Sequence, residues 1–169
     1  MHSGFQNVSW VFTPNGLLLL TGPHEFFTGA LPGVGTVWRN LLSVSLLSAI
    51  LCSFSFDLSA SMVGALIFFV NAVGMTCIFT GCIFVVLRLK SDPTLSIGRI
   101  FSICAYASLG PILISWIPGS MWVSEPWRWW VAAIGLSAAV PCGMKRAAWV
   151  IAGAVVLMYG LFWIVLSNM

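Results

Sequence analysis

A chain of 169 residues with 60% hydrophobic and only 7% charged side chains cannot cover the surface of a soluble domain, which carries about 25% charge. Seven basic and four acidic residues give a formal net charge of +3, spread too thinly between apolar runs to form a nucleic-acid footprint. The composition is that of an all-α, polytopic membrane protein, a transmembrane helix bundle, and the basic residues read as topology signals.

Residues 1–36 are apolar but broken by turn signals at Pro14-Asn15-Gly16, Gly22-Pro23 and Pro32-Gly33. The pieces between them are too short to span a bilayer, which takes about 20 residues. Phe26, Phe27 and Leu31 can share a helical face beside His24 and Glu25. The segment therefore reads as interfacial, half sunk at headgroup level; a re-entrant or packed loop is the alternative. No positively charged region opens the chain, so a cleavable signal peptide is not expected.

The first span is expected over 37–56, closed by Asp57, and the short loop after it returns the chain as a hairpin. The second, 61–89, exceeds the roughly 30 Å hydrocarbon layer and should tilt or protrude. A polar loop with Asp92-Pro93 follows. The third span, 98–117, contains Gly110-Pro111, which predicts a kink. A tryptophan-rich loop then leads to a short fourth span, 127–141, ended by Pro141-Cys142-Gly143, and a fifth, 147–166.

With the N-terminus inside, Arg39, Arg88, Lys90, Arg99, Lys145 and Arg146 face the cytoplasm and only Arg128 lies outside. Trp116, Trp122, Trp127, Trp129, Trp130 and Trp163 gather at the outer boundary, and Trp38 and Trp149 mark the inner one. The expected location is a bacterial inner membrane, with the C-terminus periplasmic.

Chemistry in a membrane is usually announced by ionisable residues inside the spans. None is expected here: Glu25, Asp57, Asp92 and Glu125 fall in loops or at boundaries, and His2 and His24 are too few and too far apart for a haem or zinc site. Nucleophile-elbow, H-E-x-x-H and Walker sequences are missing. The five cysteines lack C-x-x-C spacing and read as small buried hydrophobes. No enzyme, metal or bound cofactor is expected, only surrounding lipid.

Small and mildly polar residues recur at helical spacing instead. Asn71, Gly74 and Gly81 lie near one face of the second span, with Cys77 and Thr80 close by. Ala148, Ala152, Gly153 and Gly160 do the same on the fifth. Such faces let backbones approach closely, within one bundle or against a partner. Glu125 and Arg128 flank Pro126-Trp127 and can pair at the outer surface, where Trp122, Trp127, Arg128, Trp129 and Trp130 form an aromatic shelf. That shelf reads as an interface anchor or a docking surface for a partner.

From Arg99 onward the sequence resembles the Yip family, five-span membrane proteins first known as Rab-interacting factors and widespread in bacteria. The resemblance is carried by AYASLGPILISWIPG (Ala105–Gly119), the turn Trp127–Trp130, AAIGL (Ala132–Leu136) and Lys145-Arg146-Ala147. GPHEFFTGAL (Gly22–Leu31) is similar to the family's proline and phenylalanine element before the first span. The long cytoplasmic extension of the eukaryotic members has no counterpart, so Rab binding is not carried over. The resemblance implies a non-enzymatic role in organising membranes or membrane complexes, with no catalytic residues. The leading expectation is an accessory or scaffold subunit that packs against other integral membrane proteins. A small-solute or lipid transporter using Asn71, Thr76, Thr80, Ser102, Tyr106 and Ser108 is an alternative. So is a subunit touching a quinone, haem or pigment held mainly by its partners.

Overall fold

A computed structural model of the chain describes residues 23–28, 33–53, 58–89, 95–115, 117, 119–139 and 143–168. Six helices account for nearly all of them: α1 (Pro23–Thr28), α2 (Val34–Ser53), α3 (Leu58–Leu89), α4 (Ile97–Ile114), α5 (Met121–Ala139) and α6 (Gly143–Ser167). No strand occurs among the described residues. The molecule is a helical bundle, and α2, α3, α4 and α6 are each long and apolar enough to cross a membrane. Helix α5 has the length, at 19 residues, but carries Glu125 and Arg128 in its first half. The turns at Pro14-Asn15-Gly16 and Pro32, Leu31, Asp57, Asp92-Pro93, Trp10, Trp116 and Pro141-Cys142 lie outside the described residues.

Helix α4 is the centre. Every residue from Ile100 to Leu109 is buried, and α2, α3 and α5 all pack on it. Its start is fixed by Ser96, an extended N-cap whose hydroxyl accepts from the Arg99 N–H. Helix α2 lies parallel to it in one register. A Cβ on Gly98 would stand 3.0 Å from Val34, Trp38 stacks on Phe101 at 4.5 Å, and the Ser48 hydroxyl donates to the Ile112 carbonyl at 2.7 Å. The same carbonyl also accepts from the Ser115 N–H and hydroxyl where α4 ends. Helix α4 continues through Pro111 as far as Ile114.

The connection from α4 to α5 is a pair of tight turns, with Gly119 at φ +83°, a conformation that strains residues bearing a Cβ. The tryptophan-rich stretch then departs from the loop expected of it. Residues 121–130 are the first half of α5, so that helix begins six residues before the expected fourth span. Pro126 sits in the sixth position of the helix.

Helix α1 is a wedge. Phe27 is 1% exposed, Phe26 is edge-on to Tyr106 at 5.2 Å, and both belong to the core. Both rings are turned into the bundle. Room for the wedge comes from Gly135, where a Cβ would meet Ile103 Cγ2 at 2.6 Å and the Phe27 ring at 3.1 Å.

Replacing Gly135 by alanine forces Ile103 and Phe27 apart. We expect a loss of about 1–3 kcal/mol, the usual cost of overpacking a filled core. Gly74→Ala, with nothing within 4 Å of its Cβ position, should leave thermal unfolding in detergent unchanged or slightly raised.

Candidate functional site: a buried arginine in α5

Helix α5 divides its residues sharply. Trp122 is 87% exposed, and Val123, Trp127 and Trp130 also face outward. Ser124, Arg128, Val131, Ala132 and Leu136, at spacings of three and four, face inward and are buried. The helical period thus carries a guanidinium into the bundle.

Arg128 is 5% exposed. Its side chain reaches back one turn, so that Nη2 donates to Glu125 Oε2 at 2.5 Å. Its Cζ lies 5.3 Å from the centroid of Phe79 on α3, over the ring face. Cys104 of α4 is close enough to feel its charge and lies within hydrogen-bonding reach of the Thr80 hydroxyl. Three helices therefore meet at this cation. Arg128 stands about 10 Å along α5 from its first residue, and Phe79 about 15 Å from the end of α3, at 1.5 Å per residue. Both residues thus lie well away from the ends of their helices.

Three interactions offset the cost of burying this charge. The carboxylate neutralises it, the Phe79 ring presents its negative face, and Glu125, with 27% of its side chain exposed, keeps some contact outside. The balance is incomplete, because Arg128 Nε is buried and without a hydrogen-bond partner among the described residues. The sequence reading placed Arg128 at the outer surface and found no ionisable group within a span. The helical continuation of 121–130 turns Arg128 into the bundle and off the outer shelf, with the expected pairing to Glu125 in place.

Other polar groups are mostly settled. The hydroxyls of Thr76, Thr80, Ser102 and Ser108 each donate to the carbonyl four residues earlier in their own helix. Asn40 and Tyr106 are within hydrogen-bonding reach of each other, while Asn40 Nδ2 and Ser45 Oγ have no partner among the described residues. A cleft of about 680 Å³ opens beside α1 and is lined by His24, Trp130, Ser137 and Met144 among others. An apolar groove of about 310 Å³ lies between α2 and α3. No three His, Cys, Asp or Glu side chains come together among the described residues.

The residues expected to pack are mainly on the outside. Asn71, Ala148, Ala152 and Gly160 are exposed, and nothing lies within 4 Å of a Cβ at Gly74, Gly81 or Gly160. Gly153 alone of the four glycines meets a neighbour, Val86 at 3.5 Å. The buried face of α6 is instead Ala147, Val150, Ile151, Ala154 and Met158. Trp129 packs against the core rather than joining the outer shelf. Cys82 and Cys104 are buried as expected, but Cys77 is exposed. Gly135, Phe79 and Ser48 were not singled out from sequence; the three-residue spacing of Glu125 and Arg128 was the available signal for a helix there.

No family model, curated protein or solved structure matches the chain.

The two halves of the ion pair are unequal, and truncation should show it. Glu125→Ala strands a buried guanidinium and is expected to cost about 3 kcal/mol. Arg128→Met fills similar volume and leaves only a partly exposed carboxylate, at about 1 kcal/mol or less. Thermal unfolding of both variants in detergent micelles measures the difference.

Proposed function

We propose that this chain is a non-enzymatic accessory or scaffold subunit of a bacterial inner membrane, docking onto partner spans through the outer face of α3. One observation carries the reading. Gly64, Ile67, Asn71, Gly74, Ile78 and Gly81 follow one another at steps of 3, 4, 3, 4 and 3 along α3. That is the spacing of a helix–helix seam, with glycine at the first, fourth and sixth of the six positions. None of the three glycines has a neighbour at its Cβ position, and Ile67, Asn71 and Ile78 are exposed. An amide facing hydrocarbon lacks water to bond with, so a partner helix that accepts from it gains what lipid cannot offer.

The resemblance of residues 99–147 to the Yip family supports the same non-enzymatic role. The clustering of Arg39, Arg88, Arg99, Lys145 and Arg146 toward one end of the helices supports a cytoplasmic N-terminus and a periplasmic C-terminus. A transporter stands second, because the hydroxyls it would use are engaged by their own helices.

Gentle extraction from native membranes, native gel separation and mass spectrometry of the band test the reading. The wild-type chain should migrate with a defined set of larger membrane proteins. Gly74→Leu and Asn71→Leu should release it from them without changing its own unfolding temperature. Migration of the wild-type chain alone, or undiminished association of both variants, would count against docking through α3.

A further inference from the structure

Arg128 has a fork of donors and the chain fills one prong. Glu125 takes Nη2 through a single carboxylate oxygen, and Nε–H remains buried and unpartnered among the described residues. A guanidinium edge suits two oxygens of one planar or tetrahedral anion, and a buried charged donor left unused is unfavourable. The hydroxyls of Thr80 on α3 and Ser108 on α4 donate to backbone carbonyls of their own helices.

A route to this edge is written on α5. Ser120, Ser124 and Arg128 are four residues apart and share one face, running from the tryptophan end of the helix to the guanidinium. The Ser120 hydroxyl is itself buried without a partner among the described residues. Glu125, one turn nearer that end, is partly exposed. Two unused donors on one face, beside a partly exposed carboxylate, suit an acceptor-only group.

We propose that Arg128, with Ser124 on the same face of α5 and Ser120 just before that helix begins, binds an anionic oxygen group of phosphate or carboxylate type that enters from the tryptophan end beside Glu125. The bound oxygens take Nε–H and share Nη2 with the Glu125 carboxylate, which competes for the same edge. The site is separate from the α3 seam, and neither reading depends on the other.

The test uses the full chain in phosphatidylcholine nanodiscs, following the summed intrinsic fluorescence of its nine tryptophans, of which Trp127 and Trp129 flank Arg128 in the sequence. Inorganic phosphate is titrated in one series; in a second, phosphatidylglycerol replaces phosphatidylcholine stepwise. The proposal expects a saturable change that Arg128→Gln weakens at least tenfold. Glu125→Gln, which keeps an acceptor amide but removes the competing charge, should tighten it by about tenfold, the equivalent of losing one charge-assisted contact. Saturation by inorganic phosphate assigns a soluble anion, and saturation by phosphatidylglycerol alone assigns a lipid headgroup. No saturable response in either series overturns the proposal, as does a response that Glu125→Gln leaves unchanged or weakens. The Glu125→Gln result decides even where Arg128→Gln fails to fold.

Discussion

Inside an apolar layer a charge keeps only the partners that the chain brings to it, and Arg128 brings three helices together on those terms. Its carboxylate comes from α5 itself, its aromatic face from α3 and its polar neighbours from α3 and α4. Helices α3 and α5 touch little otherwise, so the guanidinium over Phe79 is the main tie between them. An ion pair of this kind adds little net stability, because desolvation consumes most of the attraction. Its effect is on arrangement: any rotation of α5 that withdraws Arg128 from Phe79 strands a charge in hydrocarbon.

Around that tie the bundle is organised by α4. The parallel pairing of α2 and α4 holds one register from Val34 against Gly98 to Ser48 against Ile112. One ring contact reinforces it, Trp38 on Phe101, and a second joins Phe26 of α1 to Tyr106 of α4. The second brings α1 into the core, and the missing side chain at Gly135 is what admits it. Most hydroxyls in this core donate to carbonyls of their own helix, and Ser48 reaches across to Ile112.

Much of the fold was legible because apolar length and turn chemistry are local properties. The hairpin between the first two spans, the long α3 and the breaks near Asp92-Pro93 and Pro141-Gly143 follow from residues adjacent in sequence. The tryptophan-rich stretch was misread for a physical reason. Tryptophan, proline and charge together usually mark a membrane boundary, and composition cannot say which residues of such a stretch turn inward. The helical period could have said so: Ser120, Ser124 and Arg128 lie on one stripe, and Glu125 precedes Arg128 by three. The burial of Phe26 and Phe27 depends on a glycine more than a hundred residues away, and pairings of that range leave no local trace. The inward and outward faces of α3 and α6 were legible as small-residue stripes, but which stripe was used within the chain was not.

The helices also differ in length around the circumference. Helices α3 and α6, packed side by side, have 32 and 25 residues, against 20, 18 and 19 for α2, α4 and α5. At 1.5 Å per residue the first flank measures about 38–48 Å and the second about 27–30 Å. A bilayer with a hydrocarbon core of about 30 Å fits the second flank and falls short of the first. Lipids beside α3 and α6 must stretch, or those helices must lean, at a cost of a fraction of a kcal/mol for each ångström of mismatch. The protein therefore carries a built-in thickness gradient. A thicker membrane, or a neighbour that replaces lipid along the long flank, relieves it on one side only, which gives the molecule a preferred azimuth in the plane of the membrane.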